Sequence, residues 1–582
     1  MILKNNIFPK FSNKGVIILI AFITMLVYAN SLANKFVWDD ALTIVNNDFI
    51  KSWKNLPLFF SKSYLVLSCE QTYRPVVTFS YLLDYSIFGL NPFGYHLSSI
   101  LLHIFNAILL FFFINLITVN KKLALLASLL FALHPVNTEA VNVISFREDL
   151  LAYFFYLSSI ILYIKLNTCS IAKRKYLYIS SLILFLLALL SKEMSITLPI
   201  VLILYDYFFV FQKKISEIFN NFKSRYLSFI FITLIYIWIE FFWMKNTSVS
   251  KVMYPGGNFY TNMLTMSLVF VHYIYLVFFP IFTHLILHGN SFIQHSFFIP
   301  KVFFSISFII FCFLIAYKIK NVSKVMSFSI FWFFITLLPV SNIIPINNFI
   351  ANRYLYLPIT GFCLFMATFL LELPNFRIFL LSKSSLLRIS RNMIIILLLF
   401  YCVFTAIRNF SYRNSIYLWS EMVDIYPDSF EAHSLLAYGL LNDNLPDKAI
   451  EEYNIAIALT PRSAITEDYE YLGVCYYIKG MLDQATDAFN KALQVNPRSD
   501  RAYLFLGIIL KDKGLYNKAI GYFKQAIDIN QNCIKAYNEL GITYVKLEKP
   551  EDAKKCWQDA LKISPVNKEI LRNLSNSKVF GQ

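Results

Sequence analysis

The chain has 582 residues, of which 57% are hydrophobic and only 15% are charged, with a formal net charge of +17. Soluble domains carry about 25% charged residues, so this composition excludes a single soluble globule and a disordered chain. Residues 1–408 hold 32 Lys and Arg against 13 Asp and Glu, whereas residues 409–582 hold 20 against 22. The excess basic charge lies beside apolar spans rather than along a soluble face, which argues against nucleic-acid binding.

The N-terminal segment predicts an uncleaved membrane anchor. Lys4, Lys10 and Lys14 precede an apolar run over residues 15–33. A run of this length crosses about 30 Å of hydrocarbon, and it lacks the small-residue cleavage site of a signal peptide. Because basic residues mark the cytoplasmic side of a span, residues 1–14 are predicted to form a cytoplasmic tail.

Apolar stretches of helix length continue along the chain and predict a multi-span helical membrane domain over 15–408. Helices suit this role because they satisfy their own backbone hydrogen bonds in lipid. The basic clusters between stretches alternate sides correctly only if 263–300 holds a re-entrant or paired segment, so 11 to 13 spans are predicted. The stretches are 15–34, 96–118, 123–137, 150–166, 176–191, 194–211, 226–244, 263–281, 301–319, 325–342, 353–371 and 392–408.

The acidic residues of this domain collect on one side of the membrane. On the predicted topology, nine of the thirteen, from Asp39 through Glu193, fall on the face away from the cytoplasm. Either acids simply avoid the cytoplasmic leaflet, or the outer face carries a working site. The adjacent pair Asp39 and Asp40 favours the second interpretation.

A 34-residue period predicts about four tetratricopeptide repeats with a C-terminal capping helix over 429–582. Gly473, Gly507 and Gly541 recur at this spacing, each followed by an alanine, an aromatic residue and a second alanine. Residues 409–428 are predicted to form a connecting half-repeat. Such a solenoid presents a concave surface to a protein or peptide partner, and an odd number of crossings places it outside the cytoplasm.

The strongest candidate for chemistry is the acidic pair Asp39-Asp40, just after the first span. Two adjacent carboxylates are costly to place near lipid unless they are solvated or paired. One is suited to act as a general base toward an acceptor hydroxyl, and the other to orient it. The alternative is the solvated start of a loop.

Basic residues of the outer loops are candidates for binding a phosphate. They are Arg74, Arg147, Lys192 and Arg353. Each has a structural alternative. Arg74 could snorkel to the interface, Arg147 could belong to a hydrogen-bonded turn, and Lys192 could form a surface pair with Glu193. For Arg353 the two interpretations are balanced.

Four further side chains are candidates for positioning a substrate: His134, Glu139, Glu193 and Tyr354. His134 and Glu139 open a polar segment that is denser than a connecting loop needs, and the alternative is an interfacial hydrogen-bonded turn. Tyr354 is either a hydrogen-bond donor or an interfacial anchor. Because His134 and Glu139 lack a third ligand at a recognisable spacing, no metal site is predicted.

Paired acids and separate cations on one membrane face suit a displacement at a sugar carbon. The acid accepts the proton of the attacking hydroxyl, and the cations stabilise the departing phosphate. Because the site lies at the lipid surface, the leaving group could carry a lipid tail.

With these residues the chain resembles the transmembrane and tetratricopeptide-repeat O-mannosyltransferase-like proteins, which have the C-type glycosyltransferase fold. The resemblance covers nearly the whole chain, including the order of membrane body and repeat tail. The matching motifs are Val37-Trp38-Asp39-Asp40, Tyr73-Arg74-Pro75, His96…His103…Asn106, His134-Pro135…Thr138-Glu139…Arg147, Lys192-Glu193-Met194 and Arg353-Tyr354-Leu355-Tyr356-Leu357-Pro358.

The resemblance implies a polyprenyl-phosphate-linked sugar as donor, a protein Ser or Thr hydroxyl as acceptor, and catalytic roles for Asp39 and Asp40. It also implies transfer on the extracytoplasmic face, with the repeats recruiting the acceptor. The short tail and the basic N-terminus are typical of a bacterial member. They predict the inner membrane, periplasmic repeats and an undecaprenyl carrier. No cofactor other than the lipid-linked donor is expected, and a divalent metal, although possible, is not indicated.

A second hypothesis is a membrane-anchored tetratricopeptide-repeat scaffold for envelope protein assembly, without catalysis. A transporter, the third, would place acids and cations near the middle of spans, where charges are scarce in this sequence. The eight cysteines show no zinc-type spacing and predict no disulfide framework.

Overall fold

A computed structural model of the protein describes residues 12–61, 64, 73–243, 253–282, 292–346, 348–375, 382–459, 465–564 and 567–577. The chain divides into two compact units, a membrane unit (residues 1–45 and 70–413) and a repeat unit (residues 46–69 and 414–582). The assignment of 46–69 to the repeat unit is not apparent from the sequence. The regular elements within the described ranges are all helical, which confirms the predicted all-α class.

The membrane unit consists of helices joined by short turns. In the described ranges its α-helices are α1 (Asn13–Tyr28), α2 (Pro75–Phe88), α3 (Pro92–Thr118), α4 (Lys121–Leu133), α5 (Thr138–Asn142), α6 (Arg147–Lys165), α7 (Ile171–Leu189), α8 (Leu198–Tyr205), α9 (Ile215–Asn220), α10 (Phe222–Arg225), α11 (Leu227–Trp238), α12 (Phe259–Phe278), α13 (Pro300–Ile319), α14 (Lys324–Leu337), α15 (Ile359–Glu372) and α16 (Lys383–Ser411). Short 3₁₀ helices at Pro135–Asn137, Ile144–Phe146, Glu193–Thr197 and Asn352–Leu355 hold several site residues.

Several helical segments of the membrane unit are long and apolar enough to cross a bilayer. In the described ranges there are six: Asn13–Ala33, Pro92–Thr118, Glu193–Val210, Phe259–Phe278, Pro300–Ile319 and Lys383–Ser411. Helix α4 with the bent segment after it makes a seventh if the pair is one span. The chain is therefore a multi-pass membrane protein.

The predicted count of 11 to 13 spans is higher than this number. Each of the twelve predicted stretches contains helix, but α11, α14 and α15 belong to shorter apolar segments of 10–17 residues. Helices α6 and α7 carry charged residues near their N-terminal ends. An apolar stretch in a sequence does not show where a helix breaks, and six or seven is the number of long apolar segments within the described residues alone, so the predicted span count stays a prediction. Part of the predicted re-entrant segment, residues 283–291, lies outside the described residues.

A proline breaks the helical path that leads into the polar segment 134–149. Helix α4 ends at Leu133, and the segment 135–142 continues at an angle of 50°. Pro135 lacks a backbone N–H and disfavours helical geometry at the residue before it. The break leaves His134 between α4 and the 3₁₀ helix Pro135–Asn137 and places Glu139 on the short helix α5.

Buried polar groups fasten the centre of the membrane unit. His103 on α3 lies 2.7 Å from the hydroxyl of Tyr356 through Nδ1 and 3.0 Å from the carbonyl oxygen of Ala132 through Nε2. Asn106, one turn along α3, donates to the carbonyl oxygen of Leu150 at 2.9 Å. These bonds join α3, α4, α6 and the turn before α15, as polar side chains do between membrane helices.

The repeat unit is a series of helix pairs. Its described α-helices are α17 (Ser415–Ile425), α18 (Phe430–Asn442), α19 (Pro446–Leu459), α20 (Thr466–Ile478), α21 (Leu482–Val495), α22 (Asp500–Asp512), α23 (Tyr516–Ile529), α24 (Ile534–Lys546), α25 (Pro550–Ile563) and α26 (Lys568–Ser577). The segment 46–61 contributes the 3₁₀ helices Asp48–Lys51 and Trp53–Phe60.

The glycines of the repeat pattern are required by close packing within each helix pair. A Cβ atom on Gly507 would lie 2.6 Å from the ring of Phe523, and one on Gly541 would lie 2.7 Å from the ring of Trp557. The same relation holds between Gly473 and Phe489, at 2.8 Å. The aromatic ring of the second helix therefore occupies the space that the glycine leaves on the first.

This packing makes a first prediction. Gly507→Ala should destabilise the repeat unit by about 1–3 kcal/mol, because the added methyl group overpacks the contact with the buried Phe523 ring. The matched control is Gly521→Ala on α23, where a Cβ meets nothing within 4 Å. That change should stabilise the helix by about 0.5–1 kcal/mol. Thermal unfolding of the full chain followed by circular dichroism measures both, and equal effects would contradict the packing role.

Candidate active site

The predicted acidic pair lies in a turn that follows α1. Asp40 is fully buried, and its carboxylate accepts hydrogen bonds from the backbone N–H of Val37 at 3.0 Å and of Ser145 at 2.7 Å. Asp39 is partly exposed, and its side chain makes no hydrogen bond to any residue within the described ranges. Trp38, just before the pair, has φ +53°. This conformation is strained for a bulky residue, and such strain concentrates at functional sites.

Burial shifts the ionisation of both acids. It raises the pKa of Asp40 to about 7, and the backbone donors of Val37 and Ser145 limit the rise by favouring the charged form. Burial also raises the pKa of Asp39, against the opposing effect of the nearby Arg353 guanidinium. The two acids are therefore in different environments although they are adjacent.

The raised pKa of Asp40 predicts a pH dependence of stability. Its usual pKa is 3.8, so between about pH 4 and pH 7 the folded state retains a proton that the unfolded state has released. The resulting stabilisation is fully present below about pH 4 and is lost as the pH rises through about 7. It amounts to at most about 4 kcal/mol. The unfolding temperature of the wild-type protein should therefore fall more between pH 4.5 and pH 7.5 than that of Asp40→Asn. Equal falls would contradict the prediction.

Two of the predicted phosphate-binding cations share one cluster of carboxylates. Arg74 forms ion pairs with Glu148 and, at 2.9 Å, with Glu193. Lys192 is 1% exposed, and its Nζ lies 3.0 Å from Glu148 and 2.6 Å from Asp149. Glu148 bridges the two cations. These residues come from α6 and from turns that precede α2 and α8, so only the folded chain brings them together.

Arg353 belongs to a second group of interacting side chains, and its charge acts on Asp39 of the acidic pair. Its guanidinium pairs with Glu139 at 2.7 Å and lies over the ring of Phe146 at 4.0 Å. The centre of the Trp38 ring lies 6.0 Å from the same guanidinium. The other carboxylate oxygen of Glu139 is buried without a partner in the described ranges. The ring of Tyr354, the next residue, lies 5.4 Å from Lys192 Nζ. The side chains around Arg353 therefore adjoin those around Lys192.

Two predicted site residues are held elsewhere. Arg147 pairs with Asp84 at 2.5 Å and donates to the carbonyl oxygen of Tyr95 at 2.8 Å. His134 uses both ring nitrogens, Nε2 toward the carbonyl oxygen of Val277 at 3.0 Å and Nδ1 as acceptor from its neighbour Val136. Both side chains are buried, and their bonds stabilise the fold. Their predicted roles toward phosphate and substrate stay predictions without support from this arrangement.

Sequence reasoning missed the carboxylates that organise the cations. Glu148 and Asp149 follow Arg147 directly. Two adjacent acids in a domain with so few acids were the sequence signal that could have identified them. The spacing could not show that they bind Arg74 and Lys192, which lie more than forty residues away in the sequence. No group of three or more His, Cys, Asp or Glu within the described residues is arranged to hold a metal ion, and the expectation of a metal-free site stays a prediction.

Comparison with known proteins shows what the chain is similar to. Residues 466–499, 500–533 and 534–567 match the tetratricopeptide repeat family. Protein O-mannosyl-transferase F38B6.6 of Caenorhabditis elegans is 27% identical over 77% of this chain and 63% of its own length. Protein O-mannosyl-transferase TMTC3 of Homo sapiens is 22% identical over 96% of this chain and 69% of its own. The chain is a homologue of the protein O-mannosyl-transferases. The predicted family resemblance is thereby confirmed.

The homology is partial in length. Protein O-mannosyl-transferase TMTC2 of Homo sapiens is 31% identical over 38% of this chain and 28% of its own length. The chain thus spans 63% of the worm relative and less than a third of human TMTC2. Among solved structures, the crystal structure of MamA matches 26% of this chain and 86% of its own, with 25% identity and a TM-score of 0.23. A thermophilic tetratricopeptide-repeat protein in Thermus thermophilus, TTC0263, matches 31% and 94%, with 22% identity and a TM-score of 0.26.

Proposed function

We propose that the chain is a membrane glycosyltransferase. It moves a sugar from a polyprenyl-phosphate-linked donor to a hydroxyl group, a protein Ser or Thr, on the extracytoplasmic face of the inner membrane. The repeat unit recruits the acceptor. The names of the relatives support the reaction class, and the acidic pair carries the proposal: Asp40 is fixed by two backbone donors, while Asp39 beside it has a carboxylate free of hydrogen bonds within the described ranges.

The acidic pair supplies the base. In the proposed reaction the acceptor oxygen forms a bond to the anomeric carbon of the sugar, and its proton passes to Asp39. The bond between that carbon and the phosphate oxygen breaks, and its electron pair leaves with the lipid phosphate. A base placed in this way contributes about 10²- to 10⁴-fold to the rate. Asp40 holds the turn on which the base is carried.

Arg74, Lys192 and Arg353 are placed to bind the phosphate of the donor. Glu193 is the most accessible partner of Arg74, with 46% of its side chain exposed, whereas Glu148 is 9% exposed. A donor phosphate can replace Glu193 because it offers Arg74 charge-assisted hydrogen bonds of the same kind. Lys192 and Arg353, already oriented by Asp149 and Glu139, then stabilise the negative charge that develops on the leaving group.

Reconstituted transfer tests the proposal. The full chain in liposomes is given polyprenyl-phosphate mannose, the sugar for which the relatives are named, and a Ser- and Thr-containing peptide. Mass spectrometry should find the peptide heavier by one hexose. In cells, extracytoplasmic proteins should carry hexose only when the chain is present. If neither measurement changes, the scaffold hypothesis replaces the enzyme.

A further inference from the structure

Three buried asparagines join distant parts of the membrane unit. Asn142 at the end of α5 donates to Asn409 Oδ1 at 2.8 Å and accepts from Asn34 Nδ2 at 3.2 Å. Asn409 on α16 donates to Asn30 Oδ1 and to the carbonyl oxygen of Val27, both at 3.0 Å. Asn34, Asn142 and Asn409 are each at most 4% exposed. We call these three residues the amide cluster.

The amide cluster closes a ring that contains the acidic pair. The segment 34–40 and the segment 142–145 are bonded at both ends. Asn34 meets Asn142 at one end, and Asp40 accepts from the backbone N–H of Ser145 at the other. A loop that is hydrogen-bonded at both ends has little freedom to move the residues between them. Asp39 lies next to Asp40, which makes one of these bonds.

The ring is also anchored to the last membrane helix. Asn34 Nδ2 lies 3.3 Å from the carbonyl oxygen of Asn409. The backbone N–H of Lys35 donates to the carbonyl oxygen of Arg413 at 2.9 Å. Arg413 is the last residue of the membrane unit. The segment that carries the acids is therefore fixed by side chain and backbone to the end of α16.

We propose that Asn142 and Asn409 are positioning residues for the acidic pair. An amide both donates and accepts, so each side chain fixes two partners at once and sets their distance. Buried groups of this kind require their partners, because a buried donor or acceptor without a partner has lost its hydration and gained no bond in return. The proposal rests on the proposed function for its kinetic consequence, but the positioning itself is a structural property with its own test.

The first test is independent of activity. Hydrogen exchange of the full chain in lipid nanodiscs, read by mass spectrometry, is compared between wild type and Asn142→Ala. Peptides that cover 34–41 and 142–147 should exchange at least about 10-fold faster in the variant. The matched control is Asn106→Ala, which removes an equally buried amide bonded to Leu150 and Tyr356. It should leave these peptides unchanged.

The second test separates positioning from general loss of structure. In Asn142→Ala and Asn409→Ala, kcat should fall about 10-fold or more while the donor KM changes less than about twofold. Asn106→Ala should leave kcat within about twofold. Asn34→Ser, a milder change, serves if the alanine variants do not fold. Unchanged exchange in the ring overturns the positioning role. Inactivity of the wild-type chain overturns the proposed function and leaves the exchange result as the decisive test.

Discussion

Asp39→Asn should lower sugar transfer by about 10²- to 10⁴-fold, the contribution of a general base. The change keeps the size of the side chain and removes its capacity to take a proton. Because the Asp39 side chain holds no hydrogen bond within the described ranges, the unfolding temperature should stay close to that of the wild type. The rate of hexose transfer to peptide, measured at saturating donor, gives the result.

The control for this variant is Asp48→Asn, which also follows the first span. Asp48 is 44% exposed, and within the described residues its carboxylate pairs with Lys51 alone, at 2.8 Å. Exposed pairs of this kind contribute little to stability, so transfer and folding should be unaffected. Full activity in Asp39→Asn would remove Asp39 from the reaction and leave Asp40 as the remaining candidate of the pair.

Lys192→Met should destabilise the membrane unit by about 3–5 kcal/mol, the cost of removing one partner from a buried ion pair. Lys192 is 1% exposed, and without it Glu148 and Asp149 lose the cation between them. Methionine has a similar length and leaves no large cavity. The loss should appear as a lower midpoint of thermal unfolding in detergent, together with weaker donor binding.

Two further variants identify the cause of this loss. Lys165→Met changes an exposed lysine at the end of α6 and should have an effect within about 0.5 kcal/mol. The double variant Lys192→Met with Asp149→Asn neutralises the carboxylate that has lost its lysine partner and should recover part of the stability, since Glu148 still pairs with Arg74. Additive losses in the double variant would show that the two side chains do not interact.

The helical architecture was predictable because its signals are local. Each apolar stretch contains helix, and the spacing of Gly507 and Phe523 foretold the helix pairs of the repeat unit. Helix breaks were less accessible, since a proline such as Pro135 can end a helix or merely bend a span. The number of crossings therefore does not follow from the apolar stretches alone.

The candidate site was predictable in its residue types but not in its pairings. Adjacent carboxylates after the first span made Asp39 and Asp40 candidates from the sequence alone, and their catalytic roles stay predictions. The partner of Arg353 is Glu139, more than two hundred residues away, and no local pattern indicates such a contact. His134 illustrates the opposite case. A polar residue in a polar segment suggested a role toward substrate, whereas burial and two main-chain partners hold it in the fold.

The 29 residues of α16 correspond to a length of about 44 Å, whereas the hydrocarbon core of a bilayer is about 30 Å thick. The excess corresponds to the N-terminal part of the helix, which carries Lys383, Arg388 and Arg391 and is suited to extend into the headgroups. The Asn409 end is fastened by side-chain amides, while Arg388 and Arg391 near the other end are suited to headgroup contact. A thicker or thinner membrane should therefore change how far the Lys383 end projects from the bilayer. The depth of the Asn409 end, to which the segment with Asp39 and Asp40 is bonded, should stay unchanged.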